Sequence, residues 1–296
     1  MKILNYGSLN IDRVYKVPHF VRPGETISSE NYQCFPGGKG LNQSVAVARA
    51  GQRVYHAGNV GTDGDFLIDV LNKSHVHSGY VRKTDGITGH ALIQVSGSGE
   101  NCIILYGGSN YENDRVYVDQ VLSHFDAGDI LMLQNEISCL DYLLARGKQK
   151  GMRIMLNPSP MDEHLKETDL SGVTWLMLNE TEGREMTGET EPERILNVLL
   201  QRWPGMEVIL TLGKAGSVYA KVNTRIFQPA FPVQAVDTTA AGDTFTGYFA
   251  AAMLENLPKE QALAMAACAA AIAVTREGAS VSIPARSEVE QRLASL

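Results

Sequence analysis

The sequence is poor in the features that mark secreted, membrane-spanning and disulfide-stabilised proteins. It has only four cysteines in 296 residues, none of them in a CxxC pair, which predicts reduced thiols in a cytoplasmic protein. The apolar run at the N-terminus is too short for a signal peptide and predicts a first strand instead. The longest small-apolar stretch, residues 262–274, is too short and too rich in alanine to span a membrane. We therefore expect no membrane partner.

Signature motifs of several enzyme classes are also missing. The sequence has no GxxxxGK[ST] loop, no GxGxxG after the first strand and no GxSxG elbow. These absences disfavour a Walker-type nucleotidase, an NAD(P)-dependent dehydrogenase and an α/β hydrolase, respectively. A net charge of −7 and a pI near 5.5 argue against nucleic acid as the main partner.

What is present favours one large α/β domain with a small appendage. Hydrophobic residues make up 44% of the chain and charged residues 20%, as in ordinary globular proteins. Continuous apolar runs alternate with helical segments, and polar residues follow the end of each run. The runs are residues 2–9, 129–134, 153–156, 173–178 and 207–212. This alternation predicts a doubly wound, mainly parallel sheet flanked by helices, with a ligand cleft along its carboxyl edge.

Two pairs of short β-branched and aromatic runs interrupt this pattern. The first lies between Val14 and Phe35 and the second between His90 and Tyr106, each pair joined by a turn rich in glycine or proline. Neither pair is followed by a long helix, so neither fits a βαβ unit. We expect a small antiparallel sheet that packs on the main domain or on a second subunit.

Two glycine-containing turns are candidates for ligand sites. Residues 37–44 (GGKGLNQS) precede an apolar helix, and residues 237–247 (DTTAAGDTFTG) follow an expected strand, Phe231–Val236, and lead into a second apolar helix. Small residues at a helix start let successive amide groups face an anion. A carboxylate there, Asp243, suits a base beside a phosphoryl group, but it also suits the helix macrodipole alone. The glycines of residues 37–44 are explained equally well by the geometry of a helix start alone.

Asn10 and Asp12 follow the first strand at its carboxyl end. Open α/β sheets bind ligands at this edge, although both residue types also stabilise turns through their own backbone. The position alone does not decide between these two interpretations.

Taken together, the two turns resemble the signatures of the ribokinase-like, or PfkB, carbohydrate kinases, and the smaller matches resemble the ribokinase branch. Those smaller matches are SLNID (8–12), PGET (23–26), NPSP (157–160), NETE (179–182), TLGKAG (211–216) and TREGA (275–279). The resemblance covers essentially the whole chain. It implies that residues 14–35 and 87–107 form a β lid, and that residues 1–13, 36–86 and 108–296 form the α/β nucleotide- and sugar-binding domain.

The resemblance also implies a role for each matching residue. Asp243 would be the general base that removes a proton from the sugar hydroxyl as it attacks the γ-phosphate of ATP. The anion hole would consist of the amides of Ala240, Ala241, Gly242 and Asp243. The sugar would be held by Asn10, Asp12, Gly38, Lys39, Asn42, Glu136 and Asp243. ATP would be bound by Asn179, Thr211, Gly213, Lys214, Gly216 and Gly242.

The same resemblance implies two metal ions and a second subunit as a partner. Glu182 would organise Mg²⁺ through water. A monovalent cation, K⁺, would lie beside the anion hole on Asp237, Thr239, Ala273, Arg276, Gly278 and Ser282, mostly through backbone carbonyls. The lid would pair two subunits into a homodimer.

The expected function is an ATP-dependent kinase for the 5-hydroxyl of a pentose. D-ribose is favoured because the whole set of sugar-binding residues is present. The alternatives are deoxyribose, fructose or a nucleoside such as adenosine on the same fold, or a non-catalytic sugar-binding protein, against which Asp243 argues. Three residues depart from the family pattern: Ala240 replaces Gly, Tyr248 replaces a small residue, and Asn135 replaces an apolar one.

Overall fold

The computed structural model describes residues 1–295 and consists of strands and helices connected mostly by short loops. The strands are β1 (Ile3–Tyr6), β2 (Asn10–Lys16), β3 (Asn31–Gly37), β4 (Val54–Val60), β5 (His77–Lys83), β6 (Gly89–Val95), β7 (Asn101–Tyr106), β8 (Ile130–Gln134), β9 (Arg153–Asn157), β10 (Val173–Asn179), β11 (Glu207–Thr211), β12 (Gly216–Lys221) and β13 (Thr224–Pro229). The helices are α1 (Lys39–Arg49), α2 (Asp65–Lys73), α3 (Arg115–Leu122), α4 (Leu140–Gln149), α5 (Glu163–Glu167), α6 (Glu180–Thr187), α7 (Pro192–Arg202), α8 (Ala241–Leu254), α9 (Lys259–Ala273) and α10 (Arg286–Ala294).

The larger sheet has nine strands in the order β13-β12-β11-β10-β9-β8-β1-β4-β5. From β11 to β5 all neighbours are parallel, whereas β12 and β13 add an antiparallel edge. Successive side chains of a strand point to opposite faces, so each parallel strand contributes to two cores. Ile3 packs in the core that includes residues of α1, α8 and α9, while Leu4 packs in the core that includes residues of α3, α4 and α7. The predicted doubly wound fold is thus confirmed.

The second sheet has four strands in the order β3-β2-β6-β7. Its two outer pairs, β2 with β3 and β6 with β7, are antiparallel hairpins, as predicted. The two hairpins join through a parallel pairing of β2 with β6, in which Asn10 lies opposite Gly89. Because β2 begins at Asn10, both Asn10 and Asp12 lie on this sheet. The division of the chain into two domains stays a prediction.

One predicted element is wrong. Residues 231–236 form no strand, and the preceding strand ends at Pro229. Pro232 lacks the amide hydrogen that a sheet neighbour would need, and several of these residues are exposed. The segment is instead tied to the end of α9, since Val236 N–H donates to Val274 C=O at 2.8 Å.

Helices α1 and α8, which follow the two glycine-containing turns, pack directly against each other. Gly247 makes the approach possible, because a Cβ on it would lie 2.4 Å from Ala46 Cβ and 2.8 Å from the carbonyl oxygen of Gln43. The departure at Tyr248 adds a second buried contact on α8. Its hydroxyl donates to Pro284 C=O at 2.8 Å and its side chain has no exposed surface. Within residues 1–295, no helix is long and apolar enough to cross a bilayer.

We predict that Gly247→Ala destabilises the protein by about 1–2 kcal/mol. Overpacking typically costs about 1–3 kcal/mol, which exceeds the gain of about 1 kcal/mol that alanine brings to a helix interior. Urea unfolding of the variant gives the free energy of unfolding. Gly205→Ala is the matched control, since no heavy atom lies within 4 Å of the added Cβ. Equal stability of Gly247→Ala and wild type would contradict this account of the packing.

Candidate active site

The turn before α8 presents amide groups at a helix start. Ala240 precedes the helix in the left-handed conformation, with φ 58°, and Asp243 lies in the first turn, as predicted. Among residues 1–295, the N–H groups of Gly242 and Asp243 donate to no backbone acceptor, whereas Ala241 N–H is 3.3 Å from Thr238 C=O. Free amide hydrogens at the positive end of a helix bind anions.

Two neutral amides from α1 hold the carboxylate of Asp243. Asn42 Nδ2 donates to Oδ2 and Gln43 Nε2 donates to Oδ1, both at 3.0 Å. The Asp243 side chain is only 8% exposed, so these bonds compensate for much of the water that it loses on burial. Helix α1 starts in the right place because Gly38 precedes it with φ 93°, where a Cβ would lie 2.9 Å from the backbone nitrogen of Asn10.

Lys39, the first residue of α1, lies among carboxylates. Burial alone would lower its pKa, but the charges of Asp243, Glu136 and Glu182 outweigh burial and raise the pKa. The side chain therefore stays cationic, and it lines the same cleft as Asp243. A fixed positive charge beside a base and an anion-binding turn suits the transfer of a phosphoryl group.

Glu136 follows β8 and is held from two directions. The hydroxyl of Ser8 and the backbone N–H of Lys39 both donate to its Oε2, the latter at 3.0 Å. Burial raises the pKa of Glu136, although Lys39 and these hydrogen bonds partly oppose the rise. The neighbouring Asn135 turns away to a different segment, donating to Pro160 C=O at 2.6 Å and to Asp162 at 3.1 Å.

The second sheet contributes two further residues that were predicted to bind the sugar. Asn10 is buried, and its Oδ1 accepts from Asn110 Nδ2 at 2.7 Å. Asp12 is half-buried and covers Gly37, on which any Cβ would meet its carboxylate. Burial, with the charges of Glu136 and Asp243, raises the pKa of Asp12 to about 7. The structure therefore brings most of the predicted sugar-binding residues to one place beside Asp243.

The predicted nucleotide-binding residues fall into two groups. A cleft of about 240 Å³ lies between the turn and the carboxyl ends of β10 and β11. It is lined by Lys39, Asn157, Met177, Leu178, Asn179, Glu182, Thr211, Thr238, Ala240, Ala241, Gly242, Asp243 and Thr246. Gly213, Lys214 and Gly216 are not part of this lining in the described chain. Gly213 and Lys214 lie in an exposed turn after β11, and Gly216, with φ 124°, opens β12.

Asn179 and Glu182 have a structural role as well as a place in the cleft. Asn179 Oδ1 accepts from the Glu182 N–H, and Glu182 Oε2 accepts from the Asn179 N–H, both at 2.9 Å. This reciprocal capping box starts α6. It fixes the Glu182 side chain at the wall of the cleft and leaves its Oε1 for other partners.

Three of the residues predicted for the monovalent cation, Asp237, Thr239 and Gly278, are linked by hydrogen bonds. The carboxylate of Asp237 accepts from Thr239 N–H at 2.8 Å and Gly278 N–H at 2.9 Å, joining the turn before α8 to the segment after α9. Burial opposes ionisation of Asp237, but these bonds outweigh it and lower the pKa. In the part of the chain that the structure describes, no donor reaches the carbonyl oxygens of Thr239, Arg276 or Gly278. No cluster of three or more His, Cys, Asp or Glu side chains there could hold a metal.

Sequence reasoning gave no role to four residues that support this site. Ser8 binds Glu136, Asn110 binds Asn10, and both Gln43 and Asn157 lie beside Asp243, with Gln43 Nε2 at 3.4 Å from Asn157 Oδ1. Ser8, Gln43 and Asn157 lie inside the motifs SLNID, GGKGLNQS and NPSP, respectively. The sequence therefore indicated the segments that contain these residues but not the role of each one. Asn110 follows the second hairpin at a distance of 100 residues from Asn10, and no local pattern marks it.

Comparison with known proteins assigns the chain to a family. The family model described as "pfkB family carbohydrate kinase" matches residues 1–286. The chain belongs to the pfkB family of carbohydrate kinases. It is 37% identical over 296 residues to the ribokinase of Haemophilus influenzae, covering 95% of each chain.

Solved structures agree with this family. A ribokinase from Thermotoga maritima is 36% identical, with a TM-score of 0.87 and 99% of each chain covered. The Arabidopsis thaliana ribokinase complexed with ribose and ATP is 32% identical, also with a TM-score of 0.87, and 99% of this chain and 98% of that one are covered. This member of the pfkB family thus has the overall structure of ribokinases along its full aligned length.

Proposed function

We propose that the protein is an ATP-dependent ribokinase, which transfers the γ-phosphate of ATP to the 5-hydroxyl of D-ribose. The observation that carries this proposal is the buried Asp243 carboxylate, held by two neutral amides next to free N–H groups at the start of α8. Relatives that are named ribokinases support ribose as the substrate, and deoxyribose, fructose or a nucleoside is not favoured. An intact base argues against a non-catalytic sugar-binding protein.

Asp243 acts as the general base in this proposal. It accepts the proton of the 5-hydroxyl while that oxygen attacks the γ-phosphorus, and the bond to the β-phosphate oxygen breaks with ADP as the leaving group. Negative charge on the transferred group meets the amides of Ala240, Ala241, Gly242 and Asp243. Lys39, which lines the same cleft, adds a positive charge.

The sugar pocket combines acceptors with donors. Asp12 and Glu136 supply carboxylate acceptors, while Asn10 and Asn42 supply amides, as recognition of a polyol requires. Gly38 brings backbone close to this group. ATP occupies the cleft lined by Asn179 and Thr211, and the turn of Gly213, Lys214 and Gly216 holds the rest of the nucleotide.

Mg²⁺ and K⁺ complete the proposed site. Glu182 would hold Mg²⁺ through water, and the ion would supply positive charge that offsets the charge of the phosphates. For K⁺, the donor set fits: Asp237 is ionised, and among residues 1–295 no donor reaches the carbonyl oxygens of Thr239, Arg276 and Gly278. Ala273 C=O and Ser282 Oγ complete the proposed ligand set. A K⁺ ion held by these residues would supply positive charge beside the anion-binding turn.

A homodimer through the lid is the third part of the proposal. The edge strand β7 exposes four consecutive apolar residues, Ile103 to Tyr106, each with at least half of its surface accessible. Tyr32 and Phe35 on β3 are exposed as well, at 46% and 40%. Contiguous apolar surface of this kind marks a protein interface, and the lid of a second copy is the matching surface.

We predict that Asp243→Asn lowers kcat for ribose by a factor of about 10²–10⁴ and leaves ribose binding within about threefold of wild type. The amide keeps the size of the carboxylate but cannot accept the proton. ADP release measures kcat, and calorimetry measures sugar binding. Wild-type turnover in this variant would refute the role of Asp243 as base.

We predict that KM for ribose falls about tenfold from pH 6 to pH 8. The pKa of Asp12, raised to about 7 by burial and by Glu136 and Asp243, means that the carboxylate needed to accept a sugar hydroxyl is lost as pH falls through that value. Initial rates in matched buffers give the profile. In Asp12→Asn, KM should be higher and nearly independent of pH. A flat wild-type profile would contradict the assignment of Asp12 to the sugar.

A further inference from the structure

Below the base, a chain of buried amides connects Asp243 with the first strand. Gln43 Nε2 donates to Asp243 Oδ1 at 3.0 Å, and Gln43 Oε1 accepts from Gln134 Nε2 at 2.7 Å. Gln134 Nε2 also donates to Asn5 Oδ1 at 2.9 Å, and Asn5 Nδ2 donates to Gly40 C=O at 2.8 Å. Asn5 and Gln134 have no exposed surface and Gln43 has 1%.

The groups at the two ends of this chain permit only one orientation of the amides. A backbone carbonyl and an ionised carboxylate can only accept, so Asn5 must turn its NH₂ toward Gly40 and Gln43 must turn its NH₂ toward Asp243. Both therefore turn an oxygen toward Gln134. Gln134 then has to donate both of its amide hydrogens, one to each oxygen. Rotating any of the three amides would place two donors or two acceptors face to face, away from water.

Packing and a side branch hold this arrangement. Gln134 Oε1 lies against Gly7, where a Cβ would come within 2.1 Å of it, so the Gln134 amide has little room to move. Asn5 Nδ2 also donates to Ser44 Oγ at 2.9 Å, and Ser44 Oγ is 2.8 Å from His56 Nδ1. Burial lowers the pKa of His56 to about 3, so the imidazole is neutral and its Nδ1 can accept the Ser44 hydroxyl.

The two donors to Asp243 fix the plane of its carboxylate. Asn42 holds Oδ2 and Gln43 holds Oδ1, each at 3.0 Å, so rotation about the Cβ–Cγ bond would break both bonds. Both donors are uncharged side-chain amides, so they orient the carboxylate without forming an ion pair with it. Each oxygen keeps a lone pair for the substrate hydroxyl.

We propose that Gln134 is a positioning residue for the base: through Gln43 it fixes the orientation in which the Asp243 carboxylate faces the sugar hydroxyl. This inference rests on the proposed function. Gln134 contacts neither sugar nor nucleotide in that proposal, so its loss should act on kcat and not on binding. A purely structural role for the amide chain would lower stability and leave kcat unchanged.

The test is a double-mutant cycle on Gln134→Met and Gln43→Met, with methionine chosen because it keeps the length of the side chain. We expect Gln134→Met to lower kcat about 10- to 100-fold, with KM for ribose and for ATP within about threefold of wild type. Because Gln134 acts through Gln43, the double variant should have the kcat of Gln43→Met alone, within about twofold. Tyr248→Phe is the matched control: it loses a buried hydrogen bond on α8 that does not touch Asp243, so its stability should fall and its kcat should not.

Two results would overturn the proposal. One is a kcat of folded Gln134→Met within twofold of wild type. The other is a kcat of the double variant that is lowered by the product of the two factors measured for the single variants. If circular dichroism shows that Gln134→Met is unfolded, Gln134→Glu takes its place. Glutamate has the same shape but at most one proton to donate, so it cannot serve both Asn5 and Gln43, and the same loss of kcat is expected. The proposed function is tested separately, by the kinase activity of the wild-type protein and of Asp243→Asn.

Discussion

The contact between α1 and α8 is the constraint on which the site depends. Gly247 lets the two helices approach until Asn42 and Gln43 reach both carboxylate oxygens of Asp243. Each helix starts at a turn that places its first residues at the cleft: Lys39 from one and the free amides of Gly242 and Asp243 from the other. A buried carboxylate, a cation and the amide groups of a helix start therefore come from two short segments about 200 residues apart, which only the folded core can join.

The two sheets position the remaining residues of the candidate site. The large parallel sheet buries both faces under helices, so the carboxyl ends of β9, β10 and β11 form a rigid edge of the cleft. The second sheet starts only a few residues after β1 and carries Asn10 and Asp12. At that junction burial raises the pKa values of Asp12 and Glu136, and the neighbouring carboxylates raise them further.

Much of the fold and the site could be predicted from the sequence because their signals are local. Apolar runs marked the buried strands, and the two glycine-containing turns marked the starts of α1 and α8. The prediction of a strand at residues 231–236 was wrong because it gave more weight to their apolar composition than to Pro232, which has no amide hydrogen for a sheet neighbour. Asn110, Gln134 and Asn5 had no local signal: their roles come from amides that meet only in three dimensions. The second sheet's parallel pairing of β2 with β6 is likewise a property of the assembled chain.

The most direct test of the account is ADP release with ATP and Mg²⁺ over a panel of pentoses, hexoses and nucleosides, each with and without K⁺. We predict a sharp preference for D-ribose over 2-deoxyribose, fructose and adenosine, and a higher rate with K⁺ than without it. Equal or faster turnover of another sugar would contradict the assignment of Asn10, Asp12 and Glu136 to ribose. No ADP release with any acceptor would contradict the kinase assignment itself.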